Sequence, residues 1–266
     1  MRNATTLHSV DSGADNDGAT LVFLHYFAGS VRAWAGVIAR LDMSSRCIAL
    51  DARGFGGSTV SSNKFSVSEM ADDVMATLCG LNVTSYALIG HSMGGKTALA
   101  IAARRPAALT ALVLLAPSPP TPEPINENER LRLVSSLEDR ASAERTAVER
   151  VARPLTDEDR GVVVSDALRT SKWAWHGWLE CGSREDISRA TAGMVTPTLV
   201  IAGALDTPLS PDYLDVHVRQ RIPSSRLVVV PNAAHLLPFE APRETATLIH
   251  AHCAQSWKRR IDTTGP

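Results

Sequence analysis

Short runs of apolar residues alternate along the chain with longer segments in which apolar residues recur every three to four positions. The short runs have the length and β-branched content of buried strands, whereas the longer segments have the period of a helix. Strands are predicted near residues 20–25, 46–50, 85–89, 110–115, 197–202 and 226–230, after a weakly indicated strand near 7–11. Helices are predicted near 32–41, 66–80, 93–104, 211–221 and 242–257. This alternation predicts an α/β fold with a mostly parallel central sheet flanked by helices.

The alternation is interrupted once, because the strand predicted at 110–115 is followed by no other strand before residue 197. The interval opens with the proline-rich stretch 117–124, which can continue neither a sheet ladder nor a helix. It then has helical character over 127–153 and 157–180, with Glu and Arg at helix-surface spacing. We therefore expect a core domain of residues 1–116 and 194–266 with a helical insertion of residues 117–193.

The clearest chemical motif is GHSMGG at residues 90–95, between a predicted strand and a predicted helix. A GxSxG nucleophile elbow requires that context. The glycines permit a turn that ordinary residues resist and avoid clashes between Cβ atoms and neighbouring elements. Ser92 is the candidate nucleophile, and the alternative is a glycine-rich turn without chemistry.

A serine nucleophile needs a base to take its proton and a carboxylate to orient that base. Asp206 lies in the loop after the strand predicted at 197–202, and His235 lies in the loop after the strand predicted at 226–230. Ligands bind at the carboxyl ends of parallel strands, where these loops lie. The order Ser92, Asp206, His235 is the order of nucleophile, acid and base in one particular fold.

These segments together resemble the α/β-hydrolases over nearly the whole chain. The sequence HYFAGS at 25–30 is similar to the family's HGxxGS oxyanion loop, and DARGFGGS at 51–58 is similar to its DxRGxGxS segment. The resemblance implies an α/β-hydrolase fold whose helical insertion is a cap over the active site. It implies a triad of Ser92, Asp206 and His235, and an oxyanion hole made by the backbone N–H groups of Phe27 and Met93.

One position departs from that pattern, because Tyr26 replaces the glycine that usually follows the oxyanion-loop histidine. Its side chain either packs within the loop or projects into the site as a polar handle, and its bulk could shift the Phe27 amide. We expect His25 to hold this loop by hydrogen bonds. Asp51 and Arg53 are interpreted as a structural ion pair or turn cap.

Three tryptophans, Trp173, Trp175 and Trp178, lie close together in the insertion. Their spacing on a helix spreads them over more than one face, so they cannot all pack on one surface. They form an aromatic core between the insertion and the sheet, or at least one lines an apolar pocket above Ser92. The candidate pocket residues are therefore Tyr26 and these three tryptophans.

Composition sets the remaining limits. The 266 residues are 44% hydrophobic and 21% charged with a net charge of −1, which is ordinary for a globular protein and favours neither nucleic acid nor an anionic membrane as a partner. The four cysteines have no CxxC or metal-like spacing, so no disulfide framework, zinc site or redox motif is indicated, and we expect no metal or other cofactor. The sequence has no secretory apolar segment and no membrane span, so we expect a cytoplasmic protein with a small-molecule substrate and leave its oligomeric state open.

The sequence thus predicts a serine hydrolase that cleaves a small to medium apolar carboxylic ester or lactone through an acyl-enzyme. Three alternatives remain, because fold and triad do not determine the reaction. They are a cofactor-free perhydrolase, a C–C bond hydrolase or lyase with the same triad, and a ligand receptor on a hydrolase scaffold.

Overall fold

The computed structural model describes residues 6–13, 20–41, 45–59 and 64–263, with the backbone alone over 258–263. The described residues form one seven-stranded sheet in the order β1-β3-β2-β4-β5-β6-β7. The strands are β1 (Ser9–Asp11), β2 (Thr20–Leu24), β3 (Cys47–Leu50), β4 (Tyr86–His91), β5 (Leu109–Leu115), β6 (Thr198–Gly203) and β7 (Ser225–Val230). All neighbouring strands are parallel except β1, which is antiparallel to β3. The predicted fold class, a mostly parallel sheet flanked by helices, is confirmed.

The helices outside residues 117–193 are α1 (Ala35–Ile38), α2 (Val67–Gly80), α3 (Met93–Ala103), α9 (Pro211–His217), α10 (Leu237–Glu240) and α11 (Pro242–Thr263). The helix predicted at 32–41 is a 3-10 turn, Val31–Trp34, followed by the short α1. The helix predicted at 211–221 ends at His217 and continues only as a 3-10 turn.

The inner strands β2 to β6 are buried on both faces, as expected for a parallel sheet between helices. Alternate residues of β2 and β5 belong to different apolar clusters: Val22 and Leu112 pack on one face, and Phe23 and Val113 on the other. Helices α2, α3 and α9 cover the first face, and α1 and α11 cover the second. The ends of the strands are therefore held rigidly, which makes the loops beyond them suitable for positioning chemistry.

The insertion lies between β5 and β6 and differs from the two helical stretches predicted at 127–153 and 157–180. It contains α4 (Glu127–Val134), α5 (Arg140–Glu149), α6 (Asp157–Arg169), α7 (Lys172–Glu180) and α8 (Ser188–Thr191). The first stretch breaks because Glu138 has a left-handed backbone (φ 62°) and Asp139 caps α5. The second breaks because Thr170 is extended and Ser171 caps α7.

Both ends of the insertion are fastened to α3 by one buried side chain. The Lys96 ammonium donates to the carbonyl oxygens of Thr121 (3.1 Å) and Glu185 (2.6 Å), on the chain entering and leaving the insertion. The Lys96 side chain is fully buried, and this burial lowers its pKa to about 8. The insertion is thus fixed directly to the helix that follows Ser92.

No helix in the part of the chain that the structure describes combines the length and the apolar character needed to cross a bilayer.

Candidate functional site

Ser92 occupies the sharp turn between β4 and α3. Its backbone has φ 50° and ψ −114°, a conformation that ordinary residues rarely adopt. The Ser92 N–H donates to the Leu115 carbonyl (2.9 Å), and its carbonyl accepts from the N–H groups of Gly95, Lys96 and Ser118. Strained residues persist where the surroundings over-determine them. Four backbone hydrogen bonds hold the Ser92 side chain at the carboxyl end of the sheet.

The glycines on either side of Ser92 are required by close backbone contacts. A Cβ on Gly94 would lie 2.4 Å from the Leu24 carbonyl oxygen, and one on Gly90 would lie 2.5 Å from the Gly94 oxygen. Side chains at either position would push α3 away from β2 and β4. The GHSMGG sequence therefore has a structural explanation at each of these positions.

Asp206 and His235 meet beyond the ends of β6 and β7. His235 Nδ1 lies 2.7 Å from Asp206 Oδ2, and both residues are buried. Because an ionised carboxylate only accepts hydrogen bonds, Nδ1 carries the proton and Nε2 is the basic nitrogen. Burial alone would raise the pKa of Asp206, but the neighbouring His235 and the Leu209 N–H outweigh it and hold that pKa below its ordinary value.

The two loops approach each other closely. A Cβ on Gly203 would lie 2.0 Å from the Ala234 carbonyl oxygen, so only glycine fits at the end of β6. The Leu205 N–H donates to the Ala233 carbonyl (2.9 Å) and ties the Asp206 loop to the His235 loop.

His91 links the elbow to the His235 loop. Its Nε2 lies 2.8 Å from the His235 carbonyl oxygen, and its ring is fully buried. Burial and the neighbouring His235 lower the pKa of His91 well below its ordinary value, so its imidazole is neutral. His91 therefore donates from Nε2 and acts as a packed elbow residue.

The loop after β2 is organised by His25. Its Nε2 accepts the Ala52 N–H (3.0 Å), so its Nδ1–H donates to the Tyr26 carbonyl (2.7 Å). The His25 carbonyl in turn accepts the Gly94 N–H (3.1 Å). These bonds agree with the expectation that His25 holds this loop, and they fix the loop against the elbow.

The Tyr26 ring packs within the loop. Its Cε1 would lie 2.7 Å from a Cβ on Gly29, and its ring centroid is 5.1 Å from that of His91. Its hydroxyl is buried and has no hydrogen-bond partner among the described residues, and burial raises the pKa of that hydroxyl. Ala28, at φ 65°, supplies the left-handed turn that the loop needs. The structure therefore favours a Tyr26 side chain that packs within the loop over one that projects its hydroxyl into the site.

Two backbone N–H groups remain open beside this turn. Within the described residues, the N–H groups of Phe27 and Met93 donate to no backbone or side-chain acceptor. Phe27 lines the cavity that contains Ser92, and Met93 immediately follows Ser92. Open N–H groups in these positions are available to an anionic oxygen.

The expected ion pair between Asp51 and Arg53 is wrong. Arg53 Nε instead donates to Asp73 on α2 (2.5 Å), and both side chains are buried. Asp51 accepts the N–H groups of Val31 and Gly57, each at 2.7 Å. Asp51 therefore acts as a turn cap, the second of the two predicted roles. Its carboxylate holds two loops together rather than pairing with Arg53.

A cavity of about 280 Å³ lies between the sheet and the insertion and is lined by both Ser92 and His235. Its apolar wall includes Phe27, Leu133, Val163, Trp175, Trp178 and Leu236, and Tyr26 also lines it. Charged side chains of α4 and α5, including Glu129 and Glu149, line another part.

The three tryptophans of α7 separate as their spacing requires. Trp175 and Trp178 are buried at the cavity, whereas Trp173 is 52% exposed and lies outside it. The expectation that Trp173 lines the pocket is therefore corrected, because its position on α7 turns it to the outer face. Trp175 is held by a hydrogen bond from Nε1 to the Leu133 carbonyl (2.9 Å), and its ring lies 4.7 Å from that of Phe27.

Sequence reasoning missed Asp166 on α6. Its carboxylate is almost completely buried and accepts from Ser30 Oγ (2.7 Å), Arg32 Nε (3.1 Å) and Arg169 (2.8 Å). It therefore ties the insertion to the loop that contains Phe27. An acidic residue in a helix rich in charge gives no local signal of this contact.

No group of three or more His, Cys, Asp or Glu side chains is arranged to hold a metal ion within the ranges that the structure describes.

A family model described as alpha/beta hydrolase fold matches residues 19–152, half of the chain. A curated relative from Bacillus subtilis, provisionally named 2-succinyl-6-hydroxy-2,4-cyclohexadiene-1-carboxylate synthase, is 27% identical over 251 residues, which are 89% of this chain and 90% of the relative.

Solved structures share the whole architecture. An esterase from Exiguobacterium antarcticum has a TM-score of 0.86 at 20% identity and covers 94% of this chain and 96% of its own. The enol-lactonase from Burkholderia xenovorans LB400 has a TM-score of 0.82 at 20% identity, with 95% and 98% covered. At these identities the likeness concerns the fold.

Proposed function

Because the chain belongs to the α/β-hydrolase fold family, we propose that it is a serine hydrolase that cleaves carboxylic esters or lactones with a small to medium apolar acyl group. One observation carries the proposal: Ser92, at a strained elbow, shares a cavity with His235, whose Nδ1 is bonded to the buried Asp206. A nucleophile, a base and an orienting carboxylate are the groups that acyl transfer requires.

In the first half of the reaction, His235 Nε2 takes the Ser92 proton as Oγ attacks the substrate carbonyl. The carbonyl oxygen becomes an anion that accepts the N–H groups of Met93 and Phe27. The tetrahedral intermediate then collapses, His235 protonates the leaving oxygen, and the acyl group stays on Ser92. Asp206 remains ionised and stabilises the imidazolium that forms.

In the second half, water replaces the leaving alcohol. His235 takes a proton from the water as its oxygen attacks the acyl-enzyme carbonyl, and the same N–H groups hold the oxyanion. Collapse releases the acid and returns the proton to Ser92 Oγ.

We assign the pocket to the cavity under the insertion, with residues 117–193 as its cap and residues 1–116 and 194–266 as the core domain. Its wall of Phe27, Trp175 and Trp178 suits an apolar group, and Tyr26 also lines it. Its volume of about 280 Å³ is at the lower end of ligand pockets, which favours small to medium substrates.

The relatives support a hydrolase in general terms. The names of the two solved structures state an esterase and an enol-lactonase, and both fit a carbonyl-attacking serine. The name of the Bacillus subtilis relative states a synthase, so a lyase reaction with the same three side chains is the second candidate.

The test is hydrolysis of p-nitrophenyl esters of increasing acyl length by the wild type, Ser92→Ala and a control, Ser135→Ala, at an exposed serine of the insertion. We expect a burst followed by turnover in the wild type and control, loss of both in Ser92→Ala, and preference for short to medium chains. Equal hydrolysis by all three proteins would refute the acyl-enzyme, and no hydrolysis by any would favour the lyase. Peroxide-dependent bromination with acetate tests the perhydrolase alternative.

A further inference from the structure

The loop that carries His235 is attached to the insertion as well as to the core. The His235 N–H donates to the carbonyl of Arg150, just after α5, at 3.1 Å. The catalytic base in the proposed mechanism therefore takes part of its backbone support from the insertion.

Glu240 makes a second bridge at the same place. It lies at the end of α10, is only 7% exposed, and is five positions after His235. Both of its carboxylate oxygens accept the Ala234 N–H, each at 3.1 Å, and Oε1 also accepts the Ala152 N–H at 2.6 Å. One buried carboxylate thus joins the residue before His235 to the insertion segment 150–153.

The main chain of Glu240 strengthens the same connection, because its carbonyl accepts a hydrogen bond from the Arg153 guanidinium at 3.2 Å. Burial raises the pKa of Glu240, while the backbone N–H groups around its carboxylate oppose that rise. Two N–H donors converge on the carboxyl group, so the group is used as an acceptor.

We propose that Glu240 is a positioning residue that keeps His235 aligned with Ser92 by fixing Ala234 to the insertion segment 150–153. The inference rests on the proposed function, in which His235 is the base and then the acid. It assigns the insertion a second role beside shaping the pocket, since the segment after α5 supports the base.

The arrangement at Ala234 uses both carboxylate oxygens. Glutamine would keep one accepting oxygen and place an NH₂ group facing the Ala234 N–H, so the two-oxygen arrangement at Ala234 would be lost. Alanine would leave the buried Ala234 N–H without its acceptor and would remove the acceptor of the Ala152 N–H, so the link between the two loops would be lost.

A displaced His235 affects its two tasks unequally. An alkoxide leaving group needs a proton from His235, whereas p-nitrophenolate leaves readily without one. Loss of alignment should therefore slow the hydrolysis of an alkyl ester more than the hydrolysis of the p-nitrophenyl ester of the same acid. A purely structural defect reduces the amount of folded enzyme and lowers both rates by the same factor.

The experiment compares wild type, Glu240→Gln and Glu240→Ala with a matched control, Glu69→Gln. Glu69 also accepts a backbone N–H, from Ser66 at 3.2 Å in the capping box of α2, away from His235. The kcat and KM of ethyl butyrate and p-nitrophenyl butyrate are measured for each protein, with the folded fraction from circular dichroism. The downfield proton NMR signal of the His235–Asp206 hydrogen bond is recorded in parallel.

We expect the Glu240 variants to lower kcat/KM, which reports acylation, for ethyl butyrate about tenfold more than for p-nitrophenyl butyrate, since general acid catalysis contributes factors of this size or larger. The NMR signal should shift or broaden, while Glu69→Gln keeps the wild-type ratio and signal. Equal loss of both rates together with an unchanged signal would overturn the proposal. If the wild type hydrolyses neither ester, the proposed function fails, and the NMR signal alone decides: a change confined to the Glu240 variants supports the bridge, and an unchanged signal refutes it.

Discussion

The buried Lys96 ammonium should make the free energy of unfolding rise at alkaline pH. Its side chain is fully buried and donates to the carbonyls of Thr121 and Glu185, and its pKa in the folded protein is about 8. In the unfolded chain a lysine has a pKa of about 10.4. Between these two values the unfolded state binds more protons than the folded state. Stability therefore rises with pH through this window as far as Lys96 is concerned.

The size of this effect follows from the difference between the two pKa values. One pKa unit corresponds to about 1.4 kcal/mol, so a gap of two units or more contributes about 3 kcal/mol between pH 8 and 10.5. For a protein of this size, a change of that order moves the melting temperature by roughly 5–10 °C.

The assay is urea unfolding of the wild type and Lys96→Met at several pH values from 7 to 10.5. Methionine is unbranched like lysine, only one atom shorter, and cannot titrate. The carbonyls it leaves unpaired add an offset that does not depend on pH. Burial raises the pKa of Tyr86 to about 12, so its protonation also differs between the folded and unfolded states near the top of this range, but Tyr86 is present in both proteins and its contribution cancels. The wild type should gain stability relative to the variant as the pH rises. A difference that stays level or falls would refute the desolvated ammonium.

Three further predictions concern side chains that line the cavity and the contact that joins the insertion to the loop of Phe27. Tyr26→Phe removes a buried hydroxyl that has no partner in the described part of the chain, so the free energy of unfolding should rise by about 1 kcal/mol, and a lower melting temperature would contradict this. Asp166→Asn should lower the free energy of unfolding by about 2–3 kcal/mol. A double-mutant cycle with Ser30→Ala should give about 1 kcal/mol of coupling energy, and additive losses would disprove the contact. Trp175→Ala should shift the acyl preference in kcat/KM toward longer p-nitrophenyl esters, while Trp173→Ala should not, and equal shifts would place both rings at the cavity.

The strands and the turns at their ends could be predicted because the relevant chemistry is local. A buried parallel strand has to be an apolar run, and the elbow around Ser92 has to contain glycines where an added Cβ would lie only 2.4 to 2.5 Å from a backbone oxygen. The loops of Asp206 and His235 follow such runs directly. Each of these features is contained in fewer than ten consecutive residues, so the sequence pattern was sufficient.

The contacts that sequence reasoning missed join residues far apart in the chain. Ser30 and Asp166 are 136 positions apart, and Ala152 and Glu240 are 88 apart. Arg53 forms its ion pair with Asp73, 20 positions away, and not with the nearby Asp51. An acidic residue on a helix has the same local pattern whether it faces solvent or a buried donor, so only packing decides.

Four of the five helices of the insertion, α4 to α7, lie within the two stretches predicted to be helical, but each stretch holds two helices rather than one, and α8 lies outside both. Their breaks depend on a left-handed Glu138 and on the caps Asp139 and Ser171, none of which interrupts the hydrophobic period. The outward position of Trp173 follows from the exact start of α7, which periodicity alone does not define.

The attachment of the insertion sets practical boundaries for building chimaeras. Its two connections meet at Lys96, so a foreign helical segment could be joined there without rebuilding the sheet. A graft of the whole segment, however, would discard Ala152 and Asp166, and with them the contacts to the loops on either side of Ser92. Exchanging α4 alone would renew one wall of the pocket and leave both contacts in place. Exchange of a single helix of the insertion, in the laboratory or in evolution, should therefore change the shape of the pocket without disturbing these contacts.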